Sequence, residues 1–233
     1  MYKQILKDYF TDKYCHFCNS GRLLKEGIIL INLNTNETVF ISKHCLDKEE
    51  NRSQIQNINE TIPNLTKGLA VQQQNTQNVK HSTNTNNTQN LAVNNHYEIE
   101  YLILRQEKLS DFEGVSYQGI NDIYLKFKDK YTISEVESSR LKKLISKTKI
   151  DFPQFSHSSL QKLYASSFWL DYAIKKTTKI KQQIFLESIS DYYKKNRVIT
   201  QKQSDAVQQI FEELNTTFKI NKDHIPKVAF HMK

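Results

Sequence analysis

The most specific chemistry in this 233-residue chain lies in three thiols. Cys15 and Cys18 sit three positions apart, and Cys45 returns after a hairpin-length segment with His44 beside it. That spacing lets a tight turn aim two sulfurs at one tetrahedral ion, with the third arriving from a later element. Thiolates hold zinc at about 2.3 Å, so the expectation is a structural Zn2+ bound by Cys15, Cys18, His44 and Cys45. His44 is the nearest nitrogen donor for the fourth position, and His16, Asp47 and Glu49 are its alternates. A redox Cys-x-x-Cys normally opens a helix in a βαβ setting, and no such setting is visible. Plain buried thiols remain the competing reading.

The flanking elements must bring these sulfurs together. Ile5, Leu6, Tyr9 and Phe10 recur close to helical spacing, so a short helix is expected before the first pair. Gly27–Leu33 and Thr38–Ile41 read as strands joined by a turn at Asn34-Thr35-Asn36-Glu37. Leu46-Asp47-Lys48-Glu49-Glu50 reads as a first helical turn. About fifty residues with one hairpin have little surface to bury, so a metal contributing on the order of 10 kcal/mol would decide their stability.

Knuckle, hairpin, then a ligand at a helix start is the order of a treble-clef finger. Here the sequence resembles small zinc modules of bacteriophage and plasmid proteins, whose pattern is Cys-x-x-Cys-Gly-Arg-x-Leu and a final Gly-x-x-Cys. In this chain Gly21-Arg22 follows Cys18 two residues late, and Ser42 stands where Gly is usual before Cys45.

Composition divides the rest. From 51 to 96 the chain is rich in Asn, Gln and Thr, as in Gln72–Asn78 and Ser82–Asn90, and it reads as a flexible linker. From 97 to 233 helical periodicity returns. Glu98–Leu104 opens as a strand or a helix. A helix through Ile120, Ile123, Tyr124 and Phe127 follows, and another begins near Thr132–Glu135 and stops at Pro153. Further helices run through Leu160–Ile174 and Ile184–Tyr193, and Thr200 caps one whose apolar face is Val207, Ile210, Phe211 and Leu214. This last pair resembles a two-helix module of phage proteins, although Gly is missing before Val198. The expected fold class is α+β: a zinc-stapled hairpin domain (1–50), a linker (51–96) and a basic helical domain (97–233).

Charge is segregated. The whole chain carries a formal +8 and a pI near 9.2, which an AT-rich coding bias toward Lys would also produce. Yet Tyr97–Ser139 holds 5 Lys/Arg against 9 Asp/Glu, whereas Arg140–Lys202 holds 14 against 4. Codon usage does not explain that contrast. Arg140, Lys142, Lys143, Lys147 and Lys149 fall on one helix. Lys175, Lys176, Lys179 and Lys181 fall on a second, and Lys194, Lys195, Arg197 and Lys202 gather at a later helix junction. Together they form the expected phosphate-backbone surface. Tyr164, Trp169, Tyr172, Tyr192 and Tyr193 interleave with them and could stack on bases or simply fill a core.

The chain has no Gly-rich phosphate loop, no His-Glu-x-x-His and no Gly-x-Ser-x-Gly motif. His157, His224 and His231 stand alone. The resulting expectation is a non-enzymatic nucleic-acid-binding accessory protein of a phage or mobile element, working in the bacterial host cytoplasm. The alternatives are an adaptor or inhibitor docking on a host protein, and a divergent nuclease. No stretch reaches the roughly 18 apolar residues of a membrane span, and Met1–Phe10 lacks the apolar core of a secretory signal.

Overall fold

The computed structural model describes residues 1–18, 21, 23–56, 58, 62–69, 95–217 and 225–233. Its N-terminal part is a four-stranded sheet of order β3-β2-β1-β4. The strands are β1 (Tyr2–Tyr14), β2 (Leu23–Asn32), β3 (Thr38–Ile41) and β4 (Ile55–Gln56). β2 pairs antiparallel with both β1 and β3, while the short β4 lies parallel to β1. The expected β2–β3 hairpin is present, with Asn36 taking the left-handed conformation (φ 60°) that its turn requires.

The helix expected over the first ten residues is instead the first part of β1. Ile5-Leu6 and Tyr9-Phe10 mimic helical doublets, but the strand is covered on both faces. Its register against β2 also shifts between Gln4 and Leu6 and again between Tyr9 and Lys13. Such bulges accommodate consecutive apolar residues. β2 keeps strict alternation. Ile28 and Leu30 enter a small core with Cys15 and Cys45, while Ile29 and Ile31 face a larger core shared with the helices.

Two single-turn helices, α1 (Lys43–Leu46) and α2 (Glu49–Arg52), follow β3. The C-terminal part is helical: α3 (His96–Ile103), α4 (Asn121–Lys130), α5 (Glu135–Asp151), α6 (His157–Lys176), α7 (Ile180–Asn196) and α8 (Gln201–Thr217). The ambiguous Glu98–Leu104 stretch is therefore helix, and it runs on into a wider π turn at Leu104–Lys108. α5 opens on a reciprocal cap between Ser134 and Glu137 and ends before Pro153. Thr200 and Gln203 exchange the same pair of bonds at the start of α8. Arg197 occupies the left-handed conformation (φ 61°) at the end of α7. An L side chain there costs roughly 1–2 kcal/mol. The Arg197 guanidinium offsets this by donating to the Glu113 carbonyl and lying 5.5 Å over the Phe155 ring.

The sheet and the helices share one core. Ile5, Leu6 and Tyr9 of β1 belong to the same core as the helices, and the Tyr9 ring stacks on Phe168 of α6 with centroids 4.5 Å apart. Among the described residues the sheet and the helices therefore pack against each other rather than standing apart as two domains. The boundary at residue 50 also falls inside packed chain. Asn51 is buried and donates to the Cys45 carbonyl at 2.7 Å. Leu65 is fully buried in the large core. Gly68 approaches α6 so closely that a Cβ would collide with the Gln161 carbonyl. Ile55, Ile58, Ile62 and Leu65 supply this packing, and a polar average over the segment conceals them. The Gln- and Asn-rich tracts at 72–78 and 82–90, read as flexible linker, lie outside the described residues, as does His224.

Candidate metal centre and basic surface

β1 delivers the chain to Cys15, and the knuckle is pinned where the His16 N–H donates to the Phe40 carbonyl of β3 at 2.8 Å. Cys45 lies on α1. The Ser42 hydroxyl caps that helix, accepting from the Cys45 N–H at 3.2 Å and donating to Cys15 Sγ at 3.9 Å. One hydroxyl therefore ties the two arms of the motif together, which a glycine at position 42 could not do. The three Sγ atoms lie within 4.8 Å of one another. Bonds of about 2.3 Å to one tetrahedral ion would bring the sulfurs to roughly 3.8 Å, so a small contraction suffices. Cys15 and Cys45 are buried and Cys18 is half-buried. Burial pushes the Cys45 thiol up to about 11, with Ser42 opposing and Cys18 and Cys15 adding to the rise. A metal binding here must displace such protons.

The fourth expected ligand is not in the cluster. His44 is exposed and lies outside the group formed by the three thiols. It precedes a helical Cys45 that points inward, and consecutive residues on a helical turn diverge. The alternates fare no better. His16 Nε2 is 3.1 Å from the Tyr2 hydroxyl, and Asp47 and Glu49 are exposed. Among the described residues the centre consists of three sulfurs.

The cations expected to bind phosphate divide into three groups. Arg140, Lys142, Lys179 and Lys194 face Asp122, Glu98, Glu213 and Asp111 at 2.9, 3.9, 2.8 and 2.9 Å. Lys175 donates to Thr11, Lys176 lies over the Tyr172 ring, and Arg197 is held as described above. Lys143, Lys147, Lys181 and Lys195 are exposed. On α5 the residues Val136, Arg140, Lys143, Lys147 and Ile150 recur every three or four positions and share a face. Val136 and Ile150 are 79% and 80% exposed. The aromatics named from the sequence are mostly interior. Tyr164, Trp169, Tyr172 and Tyr193 are buried, and only Tyr192 is partly open.

Two buried polar clusters lie outside the candidates that the sequence suggests. Asp8 of β1 is 1% exposed. It accepts from the Tyr164 hydroxyl at 2.7 Å and from the Tyr9 N–H at 2.8 Å, and it pairs with Lys108 at 2.6 Å. Lys108 also meets Glu107 at 3.1 Å, and Glu107 accepts from the Tyr124 hydroxyl. Burial would lower the Lys108 ammonium, but Asp8 and Glu107 outweigh it and raise its pKa. In the second cluster, Glu100 is held by His157 and Gln161, each at 3.1 Å, and by the Asn64 N–H at 2.6 Å. Burial would raise this carboxyl, yet His157, Asn64 and Lys67 bring it below the usual range. The visible signal was a charge inside an apolar run, Asp8 between Leu6 and Tyr9. No described helix is long and apolar enough to cross a membrane.

No protein-family model matches the chain, and neither a curated protein nor a solved structure shows significant similarity to it.

Proposed function

We propose that the chain is a zinc-stapled, non-enzymatic nucleic-acid-binding protein. The observation that carries the metal reading is the convergence of three sulfurs from two elements of a small core. Thiolate-only donors suit zinc among the common cytoplasmic divalent ions. The ion would be held by Cys15, Cys18 and Cys45, joining the end of β1 to α1. It would make up for the limited surface that the sheet's second face can bury.

The nucleic-acid reading draws on the exposed cations of α5. Lys143, Lys147 and Lys149 are exposed, with no ion-pair partner among the described residues. Lysine suits backbone rather than base contacts. A role as an accessory of a phage or mobile element draws on the resemblance of the Cys-x-x-Cys and two-helix motifs. The test is binding to DNA and RNA across a salt series. Each phosphate neutralised on B-DNA contributes about −0.9 to the slope of log affinity against log salt. Replacing Lys143, Lys147 and Lys149 by Gln together should flatten that slope by about 2–3 and weaken all sequences alike. An unchanged slope overturns this surface. A second reading, docking on an acidic protein face, is favoured by the exposed Val136 and Ile150 flanking the same cations. It predicts no salt-dependent binding to nucleic acid at all.

A further inference from the structure

We infer that the metal held by the three thiolates keeps one exchangeable coordination position, which takes a small neutral donor: water, replaceable by an imidazole. This rests on the metal reading above. Zinc prefers four ligands, and the described residues offer three. The His16 imidazole is not in the cluster; its Nε2 lies 3.1 Å from the Tyr2 hydroxyl and its ring packs edge-on against Phe17 and Tyr2. His44 is outside the cluster. Gly21 and the undescribed Asn19, Ser20 and Arg22 bring no thiol, imidazole or carboxylate after Cys18. Cys18 is also the one half-buried thiol, so the centre faces outward on its side while Cys15 and Cys45 are enclosed.

Charge selects the donor. Three thiolates on a divalent ion already leave a net −1 beside two buried sulfurs. A fourth anionic ligand would raise this to −2 where desolvation is costly. A single hydroxyl, that of Ser42, donates to Cys15 Sγ and offsets only part of this charge. A neutral nitrogen or oxygen donor adds none. The centre is thereby a binding site for imidazole-type ligands, including a histidine side chain of a partner.

The experiment loads the full chain with Co2+ and titrates it with imidazole, following the visible d–d bands and the near-ultraviolet thiolate-to-cobalt band. The expected result is a saturable shift of the d–d bands with the thiolate band retained. The same shift should appear in His44→Ala and His16→Ala. An unchanged d–d spectrum means that a protein donor outside the described residues closes the site, and it overturns the inference. Bleaching of the thiolate band means that imidazole strips the ion, which also overturns it. If no thiolate-to-cobalt band appears on loading, the metal reading itself has failed, a result distinct from either of these.

Discussion

The ion pair between Asp8 and Lys108 ties the sheet to the helices, and Lys108→Met tests how strongly. The Asp8 side chain is 2% exposed and that of Lys108 20%, with 2.6 Å between them. Removing one partner of a buried pair typically costs 3–5 kcal/mol, because the other is left charged and desolvated. Asp8 would keep its bonds from Tyr164 and Tyr9, and Lys108 is partly open to water. The loss should therefore fall near the lower end, at about 3 kcal/mol. With a urea dependence of about 2 kcal/mol per molar, the midpoint should drop by about 1.5 M. The double variant Asp8→Asn/Lys108→Met should be less destabilised than the sum of its parts by about 2 kcal/mol, since neither charge then remains. The assay is urea unfolding of the metal-loaded chain. It would be followed by fluorescence of Trp169, which lies against Tyr9 and Phe168 at the junction, and by far-ultraviolet circular dichroism. Both probes should report one transition. A loss below about 1 kcal/mol, additive single variants, or two separated transitions would refute a shared core locked by this pair.

Other outcomes follow from the same packing. Cys45→Ser should abolish metal binding, whereas His44→Ala should retain a full equivalent, as elemental analysis of the purified variants would show. Gly68→Ala should destabilise by about 1–3 kcal/mol, because its new methyl meets the Gln161 carbonyl rather than a yielding side chain; thermal unfolding reads this directly. Deleting residues 225–233 removes the buried Ile225, Val228 and Phe230 and the backbone pairing of Ile199 with His231 and Lys233. At roughly 1.5–3 kcal/mol per side chain, the deletion should leave little stability by urea titration. Burial holds His231 below its ordinary pKa, with the nearby Lys162 adding to the effect. The unfolded chain therefore binds the proton more readily, so stability present above about pH 6.5 is lost as pH falls below it. His231→Gln should flatten unfolding free energy between pH 7 and 5.

The elements with regular periodicity were the legible ones. α4 to α8, the β2–β3 hairpin and the stop at Pro153 follow from apolar spacing and caps, which are local properties. β1 is not legible locally, because doublets such as Ile5-Leu6 fit a helix as well as a bulged strand buried on two sides, and only the tertiary partners decide between them. Between 51 and 69 the Asn and Gln content hides Ile55, Ile58, Ile62 and Leu65, which pack into the two cores. Of the candidate metal centre, the three thiols were legible from spacing alone. The fourth ligand was not, because adjacency in sequence made His44 look near while the α1 turn directs it outward. The Lys-rich segments were visible as composition. Their pairing with Asp122, Asp111 and Glu213 depends on contacts made 18, 83 and 34 residues away, which no local pattern encodes.

X-ray absorption at the zinc edge of the loaded full chain tests the central claim most directly. The account predicts three sulfur neighbours at about 2.3 Å and one nitrogen or oxygen near 2.0–2.1 Å, with one sulfur fewer in Cys15→Ser if that variant still holds the ion. A first shell with two sulfurs or fewer in the unmodified chain, or fully reduced protein that takes up no zinc, would contradict it.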